Sequence, residues 1–225
     1  MMKNFLKPFV CCTLLVTAIL FSFNVQSQTQ NQGPDAESVK KATEWVSTLH
    51  LQDAQKESRV STTISTHLTA IRNWHQEHPA NTVPEGINPV TGVKLSELDR
   101  QIIADSAIPA TVHEQLMQGL TKELQPAQVE MILDKYTIGK VAFTLAGYKA
   151  IVTDLTAEEE SKITGLLKQA REQAVDYKNM KQISAIFEIY KTKAEQYLNS
   201  NGRSWRALYS AYTNKIKAEK ASKKQ

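Results

Sequence analysis

The chain has 225 residues, 41% of them apolar and 22% charged, with only 8 Gly, 7 Pro and 2 Cys. That composition excludes wholesale disorder, a polytopic membrane protein and a turn-rich all-β chain, and the length suits one domain with an ample core. The formal net charge is +4, and two of the cations fall in the first eight residues. Met1 to Pro8 carry Lys3 and Lys7 and no acid, and Phe9 to Phe23 form an almost unbroken apolar run. Val25-Gln26-Ser27 then places small residues at −3 and −1 of a cleavage point. This three-part pattern is that of a secretory signal peptide over residues 1–27, too short to read as a membrane span. The expectation is export, to the periplasm or the medium, with no integral membrane segment after signal removal.

Cys11 and Cys12 both lie inside the apolar run. The exported chain would hold no disulfide, no thiolate metal site and no cysteine nucleophile. Without Lys3 and Lys7 the net charge falls to +2; the segment from Arg203 onward carries +6, and Gln28 to Gly202 carries −4. A basic tail over 219–225 favours an anionic surface. For an exported protein that means an acidic polysaccharide or a membrane surface, not nucleic acid.

Residues 28–34 are a polar leader with little reason to order, and the helical domain is expected over 35–218. Apolar residues at 39, 42, 46 and 49 mark a first helix. Val60, Ile64, His67, Ile71, Trp74 and His78 follow at alternating spacings of four and three, one face of a long second helix that Pro79 ends. Pro79 to Lys94 is the longest irregular stretch, and such loops are often functional. Ser96 caps a third helix, with Asp99 three residues on. Pro109 and Pro126 open the fourth and fifth. Val141 to Leu145 and Tyr148 to Val152 are rich in β-formers around Ala146-Gly147, which predicts a small β-hairpin near 141–152. Thr156-x-x-Glu159 is a capping box that starts a helix with Ile163, Leu167, Ala170 and Ala174 inward. That helix bends or restarts near Asp176 to Asn179. A stripe from Ile183 to Tyr197 follows, Asn201-Gly202 stops it, and Trp205 to Ile216 form the last helix. The leucine-led segments at 51–55, 124–128 and 155–159 read as three helix starts with similar caps. The predicted fold is thus mainly α, a single-domain bundle of about eight helices plus one hairpin.

Four constellations carry candidate chemistry. Trp74-His75-x-x-His78 lies at the end of the second helix, facing the long loop. Two histidines three apart share a face, but familiar zinc motifs space theirs differently, so no metal is assigned. Asp99-Arg100 and Asp105 follow that loop; Asp99 suits a cap and Arg100 an ion pair. Asp176-Tyr177-Lys178-Asn179 marks a polar junction. Arg203-Ser204-Trp205-Arg206 opens the last helix, where Tyr209 and Tyr212 fall at a spacing typical of core residues. Aromatic faces beside Arg, Asn and Asp are what sugar recognition uses. No G-x-G-x-x-G, phosphate loop, G-x-S-x-G elbow or H-E-x-x-H is present, so no nucleotide, flavin or other cofactor is expected.

Several stretches resemble one family. They are Thr66 to His78, Gly86 to Gly92, Leu98 to Asp105, Asp134 to Val141, Asp176 to Ser184, and Asn201-Gly202-Arg203-Ser204-Trp205-Arg206. Together they look like the domain of unknown function family 3826, found in secreted proteins of gut anaerobes. The resemblance implies export and a sugar-binding role in polysaccharide utilisation, and offers no catalytic residues. The expected function is binding of an oligosaccharide or polysaccharide, acidic or neutral, without chemistry of its own. The expected site joins Trp74, His75, His78, Asp99, Arg100, Asp105, Tyr177, Asn179, Arg203, Trp205 and Arg206. Two alternatives stand beside it: a glycan hydrolase or lyase using a His/carboxylate pair, and a helical chaperone or scaffold with an exposed apolar face.

Overall fold

A computed structural model describes residues 33–89 and 91–222. The predicted signal peptide, the leader up to residue 32 and the last three tail residues lie outside the described residues.

Helix starts follow local side-chain chemistry. Asp35, Asp53 and Asn179 accept backbone N–H bonds ahead of α1 (Ala36–Ser47), α2 (Ala54–Glu77) and α8 (Met180–Ser200). Reciprocal capping boxes open α3 (Glu97–Asp105), α5 (Pro126–Tyr136) and α7 (Ala157–Ala174), with Ser96, Gln125 and Thr156 as the caps. The three leucine-led segments are therefore helix starts, at α2, α5 and α7. Pro109 precedes α4 (Ala110–Glu123). Past Pro79 the long loop forms one 3₁₀ turn, Ala80–Thr82, and a single antiparallel bridge between Ile87 and Lys94.

The predicted hairpin near 141–152 is absent. Its place is taken by a helix, α6 (Lys140–Ile151). Val141, Tyr148 and Val152 are buried and Leu145 packs beside them, a four-three-four spacing that makes a helical stripe. Burial of that stripe overrode the β-propensity of the individual residues. Entry into α6 uses two successive left-handed residues, Ile138 (φ 52°) and Gly139 (φ 64°). Glycine takes this conformation freely, whereas a β-branched isoleucine is strained in it. With α9 (Trp205–Ser222), nine α-helices are present among the described residues.

Two apolar clusters organise them. The first gathers α1, α2, α4 and α5 around Ala42, Val46, Ile64, Leu116, Leu120 and Ile132, with Val175 inserted from beyond α7. The second gathers α6, α7 and α8 around Tyr148, Ile163, Leu167, Ile186, Phe187 and Leu198, with Trp205 and Leu208 of α9 packed against it. No residue of α9 is itself buried.

Helices α2 and α4 touch closely at Gly119. A Cβ there would lie 2.5 Å from Thr63 Cγ2 and 2.7 Å from its Oγ1. We predict that Gly119→Ala lowers the unfolding free energy in urea by about 1–3 kcal/mol through overpacking. Adding Thr63→Ala should recover part of that loss, so the two changes will be non-additive in a double-mutant cycle.

Candidate functional site

Polar groups tie the two clusters together along a seam. Asp176, in the short link between α7 and α8, accepts from His67 Nε2 of α2 at 3.0 Å and from His113 Nδ1 of α4 at 2.9 Å. Asp105, at the end of α3 and only 4% exposed, accepts from His75 Nδ1 at 2.7 Å and from Gln101 at 2.9 Å. Gln182 of α8 donates to it as well. Tyr177, the next residue along the link, is buried. Burial first, then the charges of Asp105 and Asp176, push its phenol up to about 12. Buried Arg171 of α7 crosses the same divide to Glu130 and Asp134 of α5, at 2.7 Å each.

Six of the sequence-predicted site residues therefore meet near this seam: Trp74, His75, His78, Arg100, Asp105 and Tyr177. Their polar atoms are largely engaged within the fold. Trp74 donates its indole N–H to Ala104 O at 3.1 Å and stacks on His78, with ring centroids 3.7 Å apart. His78 Nδ1 pairs with Trp74 O, and Gln101 donates to His78 O. Half-buried Arg100 reaches Val83 O, while its Nε has no partner. Asp99 and Asn179 serve as helix caps. Among the described residues, no group of three or more His, Cys, Asp or Glu is placed to hold a metal ion.

Arg203, Trp205 and Arg206 lie elsewhere. Arg203 grips Glu159, at the first turn of α7, through Nε at 2.7 Å and Nη2 at 2.8 Å; Nη1 adds Asp154 at 2.8 Å. Those hydrogen bonds hold the Glu159 carboxyl down at about 2. The Asp176 link is at the other end of this 18-residue helix, about 25 Å away at 1.5 Å per residue. One hollow uniting every predicted site residue is thus excluded. Arg206 is exposed, with no ion pair among the described residues.

A cavity of about 710 Å³ opens between α6, α8 and α9. Its size suits a small ligand. Trp205 stands over it, with Tyr148 at 5.1 Å and Tyr209 at 6.1 Å between ring centroids. Tyr209 is 51% exposed and Phe143 79% exposed, although the spacing of Tyr209 suggested core. Phe187, Tyr212 and the small residues Ala146, Gly147 and Ala150 complete the apolar wall. Lys140, Glu188, Lys191 and Glu195 supply charge. Tyr148 Oη donates to Lys191 O at 3.1 Å. Glu188 holds Lys191 through both oxygens, at 2.9 and 3.0 Å.

Of the sequence-predicted site residues, Trp205 alone lines this cleft. The expected hairpin puts Phe143 and Tyr148 on strands, and no sequence motif marks Glu188 or Glu195. Their signal was present as Glu188, Lys191 and Glu195 at i, i+3 and i+7, one helical face beside Phe187.

The chain belongs to the family described as "Protein of unknown function (DUF3826)", whose model matches residues 36–218. No curated protein matches it. No described helix is long and apolar enough to cross a membrane.

Two outcomes follow from this geometry. Hydrogen bonding to Asp176 raises the His113 pKa above its ordinary 6.5. Burial opposes ionisation of Asp176, but its two histidine partners hold it below its ordinary 3.8. The His113 contribution is therefore complete below 6.5 and fades as pH rises through the folded value. The Asp176 contribution is present above 3.8 and fades as pH falls. Asp176→Asn should lower the melting temperature most at about pH 5.5 and flatten the stability–pH curve on both flanks, as read by calorimetry. Separately, Arg203→Met should loosen α9, shifting Trp205 emission to the red while leaving most helical circular dichroism in place.

Proposed function

We propose that this protein is an exported carbohydrate-binding protein whose site is the cleft between α6, α8 and α9. One observation carries the reading: a cavity of about 710 Å³ is walled by aromatic rings and edged by four charged side chains. A sugar presents an apolar C–H face and a rim of hydroxyls. Rings cover the first, and carboxylates and ammonium groups pair with the second. Trp205 is the natural platform. It projects from the first turn of a helix none of whose residues is buried, and Arg203 and Asn199 fix its position.

The seam around Asp105 and Asp176 supports a different role. Its carboxylates accept from side chains of the fold, and the Trp74 ring is stacked on His78. It fastens the scaffold that displays the cleft. The mixed charge of the rim admits neutral and acidic sugars. Export and a glycan partner agree with what the family resemblance implied.

Isothermal titration of the purified protein against galacturonan, xylan, glucan, mannan and arabinan oligosaccharides tests this reading. Binding heat with at least one is expected, and Trp205→Ala should weaken it about tenfold, or ~1.4 kcal/mol. Gly147 offers an independent check, because a Cβ added there meets nothing within 4 Å. Gly147→Leu should fill the cleft and abolish binding without lowering the melting temperature, since leucine is also the better helix former. No heat with any of these glycans would count against the proposal.

A further inference from the structure

α9 presents cations to solvent that the fold does not use. Arg203 is engaged by Glu159 and Asp154. The four basic residues within the helix itself, Arg206, Lys215, Lys217 and Lys220, are all exposed. None of them makes an ion pair or a side-chain hydrogen bond among the described residues. Lys217 and Lys220, near the C-terminal end, suit the helix dipole. Arg206 opposes it, standing in a first turn that holds no acid. Helix stability therefore does not account for an arginine at that position.

The four cations are not spread evenly round the helix. Successive helical residues turn by about 100°, so Lys217 falls about 20° to one side of Arg206 and Lys220 about 40° to the other. These three share a face that carries no acid. Lys215 lies about 180° away, one turn from Glu219, the only acid of α9. The cleft-lining rings of Trp205, Tyr209 and Tyr212 occupy an arc about 60° to 120° from Arg206, on the Lys220 side. The cationic face thus begins where the aromatic wall of the cleft ends, and Arg206 and Tyr209, three residues apart, are surface neighbours. The cleft itself is balanced in charge. Glu188 neutralises Lys191, which leaves one cation, Lys140, 5.5 Å from the centre of the Phe187 ring, and one carboxylate, Glu195.

We propose that Arg206, Lys217 and Lys220 extend the cleft into a site for an acidic polysaccharide. One sugar sits on Trp205 and Tyr209, and the chain continues along α9 with its anionic groups paired to the three cations. This rests on the carbohydrate reading above and narrows it, because the balanced cleft alone favours neither neutral nor acidic sugars. The Arg206 guanidinium offers two parallel N–H donors to a carboxylate or sulfate, and the lysines act as point charges. Lys217 and Lys220 stand about 16.5 and about 21 Å from Arg206 along the axis. No monosaccharide spans that distance, so the ligand is a chain of several units. Residues 28–202 carry a net −4. A polyanion is therefore repelled by the rest of the domain and attracted to this face.

The test is calorimetric titration of the purified protein with four probes: galacturonan oligomers (carboxylates), chondroitin sulfate fragments (sulfates and carboxylates), mannan oligomers (neutral) and phosphatidylglycerol vesicles. At least one acidic glycan should bind about tenfold more tightly than mannan of equal length. Its affinity should rise with chain length and fall as NaCl goes from about 0.05 to about 0.5 M. Lys217→Gln should weaken it about threefold. Lys215→Gln removes the same charge from the opposite face and should leave it unchanged. Changing Arg206, Lys217 and Lys220 together to Gln should weaken it about tenfold or more, with the melting temperature kept, since none of the three is paired within the fold. Equal affinity for mannan would overturn this inference and leave the carbohydrate reading standing. Equal losses from Lys215→Gln and Lys217→Gln would also overturn it, by showing an effect of net charge and not of the row. Binding to the vesicles but to no acidic glycan would assign the row to a membrane surface instead. No heat with any glycan would overturn both proposals together.

Discussion

The arrangement of the whole domain depends on how the short link between α7 and α8 is pinned. Three consecutive residues each commit to a different neighbour. Val175 enters the first apolar cluster, Asp176 takes hydrogen bonds from His67 and His113, and Tyr177 enters the second cluster. A half-buried carboxylate is costly without partners and stabilising with them. Asp176 therefore sets α2 and α4 against the start of α8 in one register. Asp105 repeats the device, joining α2, α3 and α8. The two acids make a polar seam whose satisfaction requires both clusters to be in place.

The cleft follows from that constraint. The seam fixes α7 and α8, and the second cluster fixes α6 against them, so α6 and α8 present a gap with small residues on one wall. α9 adds few buried contacts. It is held at its start by Arg203 on Glu159 and Asp154, and by the left-handed turn at Gly202 (φ 82°). A helix attached at one end over a large cavity leaves rings exposed to solvent. Phe143 and Tyr209 would be buried if α9 existed only to complete a core.

Much of the fold was legible in the sequence because it is written in local rules. The caps at Ser96 and Thr156, the stop at Pro79 and the break near Asp176 are short-range effects. The α6 region was misjudged because Val141, Phe143, Tyr148 and Ile151 favour strands individually; only their burial pattern, which depends on α7 and α8, decides for a helix. The site was less legible for the same reason. Trp74, His75 and Asp105 do come together, but which hydrogen bonds they make depends on Gln101, Ala104 and Gln182 arriving from other helices. Arg203 reads equally well as a sugar contact or a clasp until Glu159 is placed beside it. Spacing gives the face of a helix but says nothing of whether a neighbour covers that face. Tyr209 and Tyr212 match a core stripe, yet they border a cavity.

The chain has three tryptophans, and each reports on a different place: Trp45 on the first cluster, Trp74 on the seam and Trp205 on the cleft. The most direct measurement is a two-dimensional ¹H–¹⁵N spectrum of their indole N–H groups during titration with an oligosaccharide. The account predicts that the Trp205 resonance moves and saturates while those of Trp45 and Trp74 stay still. A shift of Trp74 with Trp205 unmoved would locate recognition at the seam and contradict it.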